Sequence, residues 1–422
     1  MQCPASVWCA RCLGFTLLCV LTTACMQQKV DTPSVADAPE YSRPLPPGTD
    51  ALRKLPPSAY PDFRTAWDER DLFLQDACDE STAWFDKPST NQWFPVNGID
   101  HDHARASVVA FRDLMRTSAD YDTFLNDVHS RFDVYQSIGC DDQGTVLFTG
   151  YYSPTFKASR YKQPGYTVPL YSRPTDLVTD PTTGEPRGRR MPDGSIVPWP
   201  SRRDIEASGV LDGSEIVWLK DPLSAYMVHV NGSARLKMLD GSEMYLGYGG
   251  KTDRPYTGLG ATLVERGHIR LDELGMPAIR KLYRTQPSVV EDAIMQNESY
   301  VFFQEYDGGT WPAGSLGFPV TAERSIATDK SIYPRGCVVF VDTDAARFAG
   351  APRRFQQFML DQDTGGAIRA PGRCDLYLGS GAMAEILAGR QYAEGHLYYL
   401  FLKPDQIASV NADWTPPMAT AN

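Results

Sequence analysis

The chain has 422 residues, enough for two domains that each bury a core of their own. Hydrophobic residues make up 42% and charged residues 22% of the sequence, which excludes wholesale disorder. The formal net charge of −11, from 41 basic and 52 acidic residues, argues against a nucleic-acid partner, because phosphate backbones call for a surplus of Lys and Arg.

The first 25 residues have the features of a processing signal and are set aside before the fold is considered. The apolar run Leu13–Ala24 is too short to span a bilayer as a mature helix. It follows Arg11 and leads into Cys25, which resembles the end of a bacterial lipoprotein signal, where the Cys is acylated. A plain secretory signal and a misassigned start are the alternatives. Residues 26–50 are rich in proline and predict a tether.

Four cysteines remain once the signal and Cys25 are set aside. Their spacing fits no zinc pattern, so we expect no metal site. We expect no cofactor either, since GLGATLVERG lacks the strand-turn-helix context of a dinucleotide site. In an oxidising compartment, one or two disulfides and free buried thiols are both compatible with the sequence. Cys374 either pairs with Cys337 or packs as a small hydrophobic residue. The four are Cys78, Cys140, Cys337 and Cys374.

Apolar periodicity predicts three helices near the N-terminus, over residues 68–87, His101–Thr117 and 121–136. Segments typical of strands follow, separated by turn residues, with a loop-rich excursion over residues 161–205. This order predicts a mostly β body after N-terminal helices, with the irregular strand spacing of barrels rather than of βαβ units. The strand segments are TVLFTGYY, EIVWL, AYMVHV, EMYLGY, SYVFFQE, CVVFVD, FQQFML and LYYLFL.

Carboxylates are the remaining candidates for chemistry, because the sequence has no GxSxG elbow, no HExxH helix and no Gly-rich phosphate loop. Three of them lie in one C-terminal block: Asp329 in SIATDKSIYPRG, Asp363 in DQDTGGAI and Asp375 in GRCDLYLGSG. Each stands beside Gly, Pro or small residues, where turns bring chain segments together. For any one of them, a role as a turn cap is the alternative.

Several longer motifs carry a resemblance to a known family. GSLGFPVTAERSIATDKSIYPRGCVVFVDT and QQFMLDQDTGGAIRAPGRCDLYLGSGAMAEILAGR resemble the three-aspartate domain found in double-psi β-barrels. Upstream, FTGYYSPTF, MVHVNGSARL, YLGYGGKTDRPYTGLG and MQNESYVFFQE follow the order seen in the membrane-bound lytic murein transglycosylase A family. The resemblance runs from about Pro57 to Lys403, nearly all of the mature chain.

The resemblance implies a mostly β fold with N-terminal helices. A double-psi β-barrel would be assembled from residues 51–154 and 292–410, the N- and C-terminal segments of the mature chain. A second β-barrel domain, residues 155–291, would be inserted between them, with glycan lying in the groove between the two barrels.

The resemblance also implies a reaction. The family cleaves the β-1,4 bond between N-acetylmuramic acid and N-acetylglucosamine in peptidoglycan without water, leaving a 1,6-anhydromuramoyl end. Motif by motif, the catalytic acid corresponds to Asp375, and Asp363 and Asp329 sit near it. One carboxylate suffices when the C6 hydroxyl of the sugar is the nucleophile, since a preplaced group has a high effective molarity. Asp363 is either a second titrating group or a hydrogen-bond brace.

Asp375 would first donate a proton to the departing O4 and then accept one from the C6 hydroxyl. Donation near neutral pH requires a raised pKa, from burial or from the like charge of Asp363. Aromatic and amide side chains should hold the sugars, with core packing as the alternative for each aromatic. Arg235 and Arg254 are candidates for muramic-acid or peptide carboxylates. The expected substrate-binding residues are Tyr151, Tyr152, Asn231, Ser233, Tyr248 and Tyr256.

The implied partners are the glycan strands of peptidoglycan, the outer membrane through a lipid on Cys25, and cell-wall synthesis or division proteins. The implied location is the outer membrane, facing the periplasm. Two other functions remain open. A glycoside hydrolase on the same barrel would add water to the product, and a non-catalytic glycan-binding lipoprotein would bind the wall without turnover.

Overall fold

The computed structural model describes residues 39–412, apart from 181–184, 313, 315–316, 318 and 367. The predicted signal, the lipidation site Cys25 and the tether up to residue 38 therefore lie outside the described residues. Within the described part of the chain, no helix combines the length and the apolar character needed to cross a membrane.

The helices are α1 (Arg64–Asp68), α2 (Leu72–Phe85), α3 (His101–Thr117), α4 (Tyr121–Arg131), α5 (Arg202–Ser208), α6 (Pro222–Asn231), α7 (Leu259–Glu265), α8 (Met276–Thr285), α9 (Pro287–Ile294), α10 (Gly381–Ala388) and α11 (Pro404–Val410). The strands are β1 (Leu52–Lys54), β2 (Phe132–Ser137), β3 (Val146–Ser153), β4 (Thr155–Ser159), β5 (Val168–Tyr171), β6 (Leu177–Thr179), β7 (Pro186–Arg190), β8 (Ile196–Val197), β9 (Glu215–Leu219), β10 (Ala234–Met238), β11 (Glu243–Lys251), β12 (Val301–Tyr306), β13 (Ser325–Ala327), β14 (Val338–Ala345), β15 (Arg353–Asp363), β16 (Arg373–Ser380) and β17 (Tyr392–Leu402).

The first sheet closes into a barrel. Its strands run in the order β17-β14-β15-β13-β16-β3, and β3 pairs again with β17. The β13–β15 and β3–β16 pairs are parallel, whereas the other barrel pairs are antiparallel. β1 and β2 extend the sheet beyond β17. The predicted fold class, a double-psi β-barrel built from N- and C-terminal segments with N-terminal helices, is confirmed.

The N-terminal helices pack their apolar residues against this barrel. Phe63, Phe111 and Phe124 all contact the ring of Phe358 on β15, with ring centroids 5.0–5.8 Å apart. Side-chain carboxylates of Asp71, Asp100 and Asp120 cap α2, α3 and α4 by accepting hydrogen bonds from backbone N–H groups. The helix predicted over His101–Thr117 is confirmed.

Two of the predicted helices need correction. The segment 68–87 is interrupted, because α1 ends at Asp68 and α2 begins at Leu72. The segment 121–136 is helical only to Arg131, and β2 then begins at Phe132 and pairs with β17. Phe132 and Val134 are both fully buried. Their alternation fits a strand, and pairing with β17 outweighs the helical spacing read from the sequence.

The inserted domain is a second sheet, in the order β12-β11-β10-β4-β9-β5. A parallel bridge between Ser172 and Phe303 joins its two edges, so this barrel is nearly closed. Since β12 pairs with β11 over Val301–Tyr306, the sheet continues past residue 291, the expected end of the insertion. We place that boundary after Tyr306.

The strand predicted for AYMVHV is wrong, because residues 222–231 form α6. Asp221 caps this helix, Pro222 occupies its first turn, and Gly232 ends it with a φ of 68°. The excursion expected to be loop-rich holds α5 and β5, and a small sheet of β6, β7 and β8. Cys78, Cys140, Cys337 and Cys374 are buried free thiols.

Candidate active site

A groove of about 1030 Å³ lies between the two barrels. From the first barrel, the groove is lined by residues of β3, by the segment around Asp363, and by Asp375. From the inserted domain, it is lined by the end of α6, part of β11 and the loop after β11. Residues from near the N-terminus, including Trp84 and Trp93, also line it. The groove is therefore a joint product of both barrels.

Strand register brings two of the three candidate aspartates onto one row of the first barrel. Asp363 on β15 and Asp375 on β16 are both paired with Ala327, on the strand between them, and Asp375 is paired with Thr149 on β3. Residues paired across a sheet project to the same face, and two strand spacings correspond to about 10 Å. Ala327 itself lines the groove, and its small side chain leaves the space between the two carboxylates open.

Asp375 lines the groove and is half-buried. The Thr149 hydroxyl donates a hydrogen bond to its Oδ1, and Arg373 Nη2 donates in turn to Thr149 Oγ1 at 3.1 Å. Burial raises the pKa of Asp375 and the charge of Asp363 adds to the rise, whereas the Thr149 hydrogen bond and Arg373 lower it. Burial prevails, so this carboxyl group holds its proton to a higher pH than an ordinary Asp.

Asp363 is 7% exposed and also lines the groove. The Tyr151 hydroxyl donates to its Oδ2 at 2.8 Å, and the backbone N–H of Thr364 donates to its Oδ1 at 2.8 Å. Its backbone carbonyl accepts from the N–H of Thr328. Both carboxylate oxygens thus have donors from the protein, and the carboxylate is fixed in orientation.

Asp329 occupies a different position. Its Oδ1 accepts hydrogen bonds from the N–H and hydroxyl of Ser331, and its Oδ2 accepts from the N–H of Ala370 at 2.9 Å. Arg369 lies 3.5 Å from Oδ1. Asp329 is 5% exposed and is not among the groove-lining residues. Asp329 braces the turn that follows β13 against the segment before β16. This corresponds to the role of a turn cap, the alternative given for each of the three aspartates.

The expected substrate-binding residues divide in a similar way. Tyr151, Tyr152, Asn231, Tyr248 and Tyr256 line the groove, whereas Ser233 is buried and does not. Asn231 donates through Nδ2 to the carbonyl of Met227 within α6. Tyr152 packs with the apolar cluster of α6–α9, at the junction of the two barrels.

Tyr256 lies on the inserted wall, which is the side of the groove formed by the inserted domain, and it is close enough to Asp375 for the charge of that carboxylate to act on its phenol. The residue is 41% exposed and lines the groove. Enough protein surrounds the phenol that its pKa is raised, first by burial, then by Tyr226 and by the charge of Asp375. The inserted wall therefore places an accessible aromatic face near the acid.

Sequence reasoning missed two parts of the catalytic wall. One is Thr149, which holds Asp375, and the other is a buried ion pair between Lys330 Nζ and Asp361 Oδ1. Asp361 Oδ2 also accepts from Thr328 at 2.7 Å and from Tyr399 at 2.6 Å. Lys330 lines the groove floor. The residues that contact Asp361 come from segments that are distant in the sequence. The sequence indicates Asp361 only through the LDQDTGG motif, in which it stands two residues before Asp363.

Two family models match this chain. The MltA specific insert domain matches residues 147–304 and the 3D domain matches residues 324–401. The chain is 28% identical over 278 residues to membrane-bound lytic murein transglycosylase A of Escherichia coli K12, which spans 64% of this chain and 70% of that protein. The Vibrio cholerae protein of the same name is 28% identical over 285 residues, or 66% of this chain and 71% of that protein.

Solved structures share the fold. A membrane-bound lytic murein transglycosylase from Agrobacterium tumefaciens has a TM-score of 0.67 at 24% identity and covers 84% of this chain and 99% of its own. Escherichia coli MltA with bound chitohexaose has a TM-score of 0.62 at 22% identity and covers 87% of this chain and 97% of its own. The two-barrel arrangement is therefore common to all three.

Proposed function

Since this chain belongs to the membrane-bound lytic murein transglycosylase A family and is a peptidoglycan lytic transglycosylase, we propose that it cleaves the β-1,4 bond between N-acetylmuramic acid and N-acetylglucosamine with Asp375 as the single general acid and base. The product is a 1,6-anhydromuramoyl end. The observation that carries the proposal is the position of Asp375, half-buried in the groove wall with a raised pKa.

Cleavage begins with a proton. Protonated Asp375 donates to the glycosidic O4 as the C1–O4 bond breaks, and positive charge develops on the muramic-acid ring. The now ionised carboxylate then accepts the proton of the C6 hydroxyl while its oxygen bonds to C1, which closes the 1,6-anhydro ring. Asp375 ends protonated, as it began, so one carboxyl group completes the cycle without water.

The surroundings of Asp375 suit both steps. Burial keeps the proton available for donation, and the Thr149 hydroxyl supports the ionised form that exists between the two transfers. A hydrogen bond to the charged form limits the rise in pKa, so the group can give up its proton as well as hold it.

For Asp363 we propose the role of a brace. Its two oxygens already accept from Tyr151 and from the N–H of Thr364, which favours a fixed carboxylate over a proton carrier. Its negative charge raises the pKa of Asp375 and opposes loss of the first proton. From its place in the groove wall, the same charge would also stabilise positive charge that develops on the sugar ring.

The product identifies the reaction. Incubated with murein sacculi, the protein should release muropeptides with anhydro ends, which mass spectrometry separates from reducing ends by the mass of one water. Asp375→Asn should bind sacculi and lose about 10²–10⁴-fold in release rate, the usual contribution of a general acid–base. Reducing-end products would indicate a glycoside hydrolase, and binding without turnover by the wild type would indicate a glycan-binding protein.

A second substitution separates the acid from the brace. Asp363→Ala should retain measurable release, with a loss of about 10–100-fold, because positioning groups contribute less than the proton donor. Release rates of both variants on the same sacculi give the comparison. A loss at Asp363 equal to that at Asp375 would make the two carboxylates joint proton carriers.

We also propose that a lipid on Cys25 anchors the enzyme to the outer membrane, facing the periplasm. The motif before Cys25 supports this location, and the names of the relatives include membrane attachment. Labelled fatty acid should be incorporated by the wild type and not by Cys25→Ser. Incorporation by both proteins would contradict this anchor site.

A further inference from the structure

Two cations that line the groove, Lys251 and Arg335, have no hydrogen-bond acceptor or carboxylate partner among the residues that the structure describes. Lys251, the last residue of β11, lines the groove on the inserted wall and is half-buried. Among the described residues, its Nζ has neither a hydrogen-bond acceptor nor a carboxylate within ion-pair distance. A Cβ placed on Gly366 would lie 3.7 Å from Nζ, so the ammonium group reaches across to the loop that carries Asp363.

Arg335, which is 8% exposed, lies over the ring of Trp93, with its Cζ 3.8 Å from the ring centroid. The remaining cations have hydrogen-bond or ion-pair partners. Arg369 lies 2.9 Å from Glu185 and 3.5 Å from Asp329, and Lys330 pairs with Asp361. Arg254 donates to the carbonyl of Trp199 and lies 3.5 Å from Glu298. Arg235, expected to meet substrate carboxylates, pairs with Glu243 and does not line the groove.

Keeping Lys251 charged has an energetic cost in this protein. Burial lowers its pKa, Glu185 partly restores it, and the nearby Arg369 lowers it further. An unpaired, half-buried cation beside a second cation would be stabilised by an anion arriving with the substrate. The proposed substrate carries such groups only on its muramic-acid units.

We propose that Lys251 recognises a carboxylate of the muramic-acid unit and so makes the groove selective for murein over neutral glycans. The inference rests on the proposed function. This carboxylate can come from two places: from the peptide stem, or from the lactyl group itself where the stem has been removed. An uncharged chain of N-acetylglucosamine supplies neither, and therefore gains nothing from Lys251.

Three probes separate these cases in calorimetric titrations of the Asp375→Asn protein, with and without Lys251→Gln. They are an N-acetylglucosamine–N-acetylmuramic acid tetrasaccharide with its peptide stems, the same sugar with free lactyl carboxylates, and chitohexaose. We expect Lys251→Gln to weaken one or both anionic probes about tenfold, as for loss of one charged contact, and to leave chitohexaose within twofold. The anionic probe that is weakened identifies the carboxylate.

Lys237→Gln is the matched control, because Lys237 is exposed on β10 of the same sheet and does not line the groove. It should bind all three probes like the parent protein. Equal weakening of all three by Lys251→Gln, or weakening of none, would overturn the inference.

Turnover gives a second measurement that does not rely on Asp375→Asn. Lys251→Gln alone should raise KM for murein with little change in kcat. If the wild type releases no anhydro products, the proposed function fails. If it does and Lys251→Gln leaves KM unchanged, only the inference about Lys251 fails.

Discussion

The two walls of the groove hold their polar groups in contrasting ways. On the first barrel, Asp363, Asp361 and Lys330 are at most 7% exposed and are fixed by hydrogen bonds or ion pairs within the protein. On the inserted wall, Tyr256 is 41% exposed and Lys251 has no partner among the described residues. The first wall is organised before substrate arrives, and the second keeps groups available for it. Under the proposed function, the first barrel supplies the chemistry and the inserted domain supplies groups that bind the sugars.

The largest effect should come from the buried ion pair of the first wall. Lys330→Met leaves Asp361 as an uncompensated charge in the core, which we expect to cost about 3–5 kcal/mol of unfolding free energy. Asp361 must then bind a proton in the folded state, so its folded pKa lies above the unfolded value. The loss of unfolding free energy should therefore become smaller as pH falls and larger as pH rises.

Chemical denaturation of this variant at pH 5 and pH 8 tests that expectation. The double variant Lys330→Met/Asp361→Asn should recover part of the loss because it buries no charge. Arg235→Met removes an exposed pair of the inserted sheet and should change stability little. Equal losses from Lys330→Met and Arg235→Met would remove the contrast between the walls.

A smaller effect is expected at the hydroxyl that holds the acid. Thr149→Val removes a hydrogen bond that lowers the pKa of Asp375, so that pKa should rise. Since Asp375 must be protonated to donate, the basic limb of the pH profile of kcat/KM should move to higher pH. We expect kcat to fall about tenfold, because the carboxyl group loses its orienting partner.

Thr149→Ser retains the hydroxyl and should keep both the pH profile and most of the rate. If Thr149→Val lowered the rate without shifting the basic limb of the pH profile, Thr149 would act only through packing.

The smallest effect should appear on the inserted wall. Tyr256→Ala removes an aromatic face, and a loss of about 0.5–1.5 kcal/mol of binding free energy corresponds to a rise in KM of about 2–13-fold. Tyr256→Phe keeps the ring and should stay close to the wild type. Initial rates against murein concentration give both constants. A fall in kcat larger than the rise in KM would place Tyr256 in the chemistry and blur the division between the walls.

Motifs with local signals were readable from the sequence, and pairings between distant segments were not. Helix α3 follows from its apolar stripe and its Asp100 cap. The segment of α6 predicts a strand because its apolar and aromatic residues suit both structures. Its Asp221 cap, Pro222 and Gly232 were the better evidence. The local spacing of β2 predicts a helix, and its strand conformation depends on pairing with β17.

The same division applies to the site. Asp363 and Asp375 were identified from their motifs, and the register of both with Ala327 places them on one face. The distinction between Asp329 and the other two requires the turn contacts of Ser331 and Ala370. Thr149 contacts Asp375 only because β3 and β16 run in parallel. Such contacts follow from topology, which no local pattern encodes.

The pairing of β3 has a consequence for how the enzyme comes into being. Its barrel partners, β16 and β17, are both near the carboxyl end of the chain, whereas the inserted sheet is complete at Tyr306. The first barrel can therefore close only when segments from both ends of the mature chain are present together. A chain that ends before β16 lacks Asp375 and both strands that pair with β3, even though the inserted sheet is already complete.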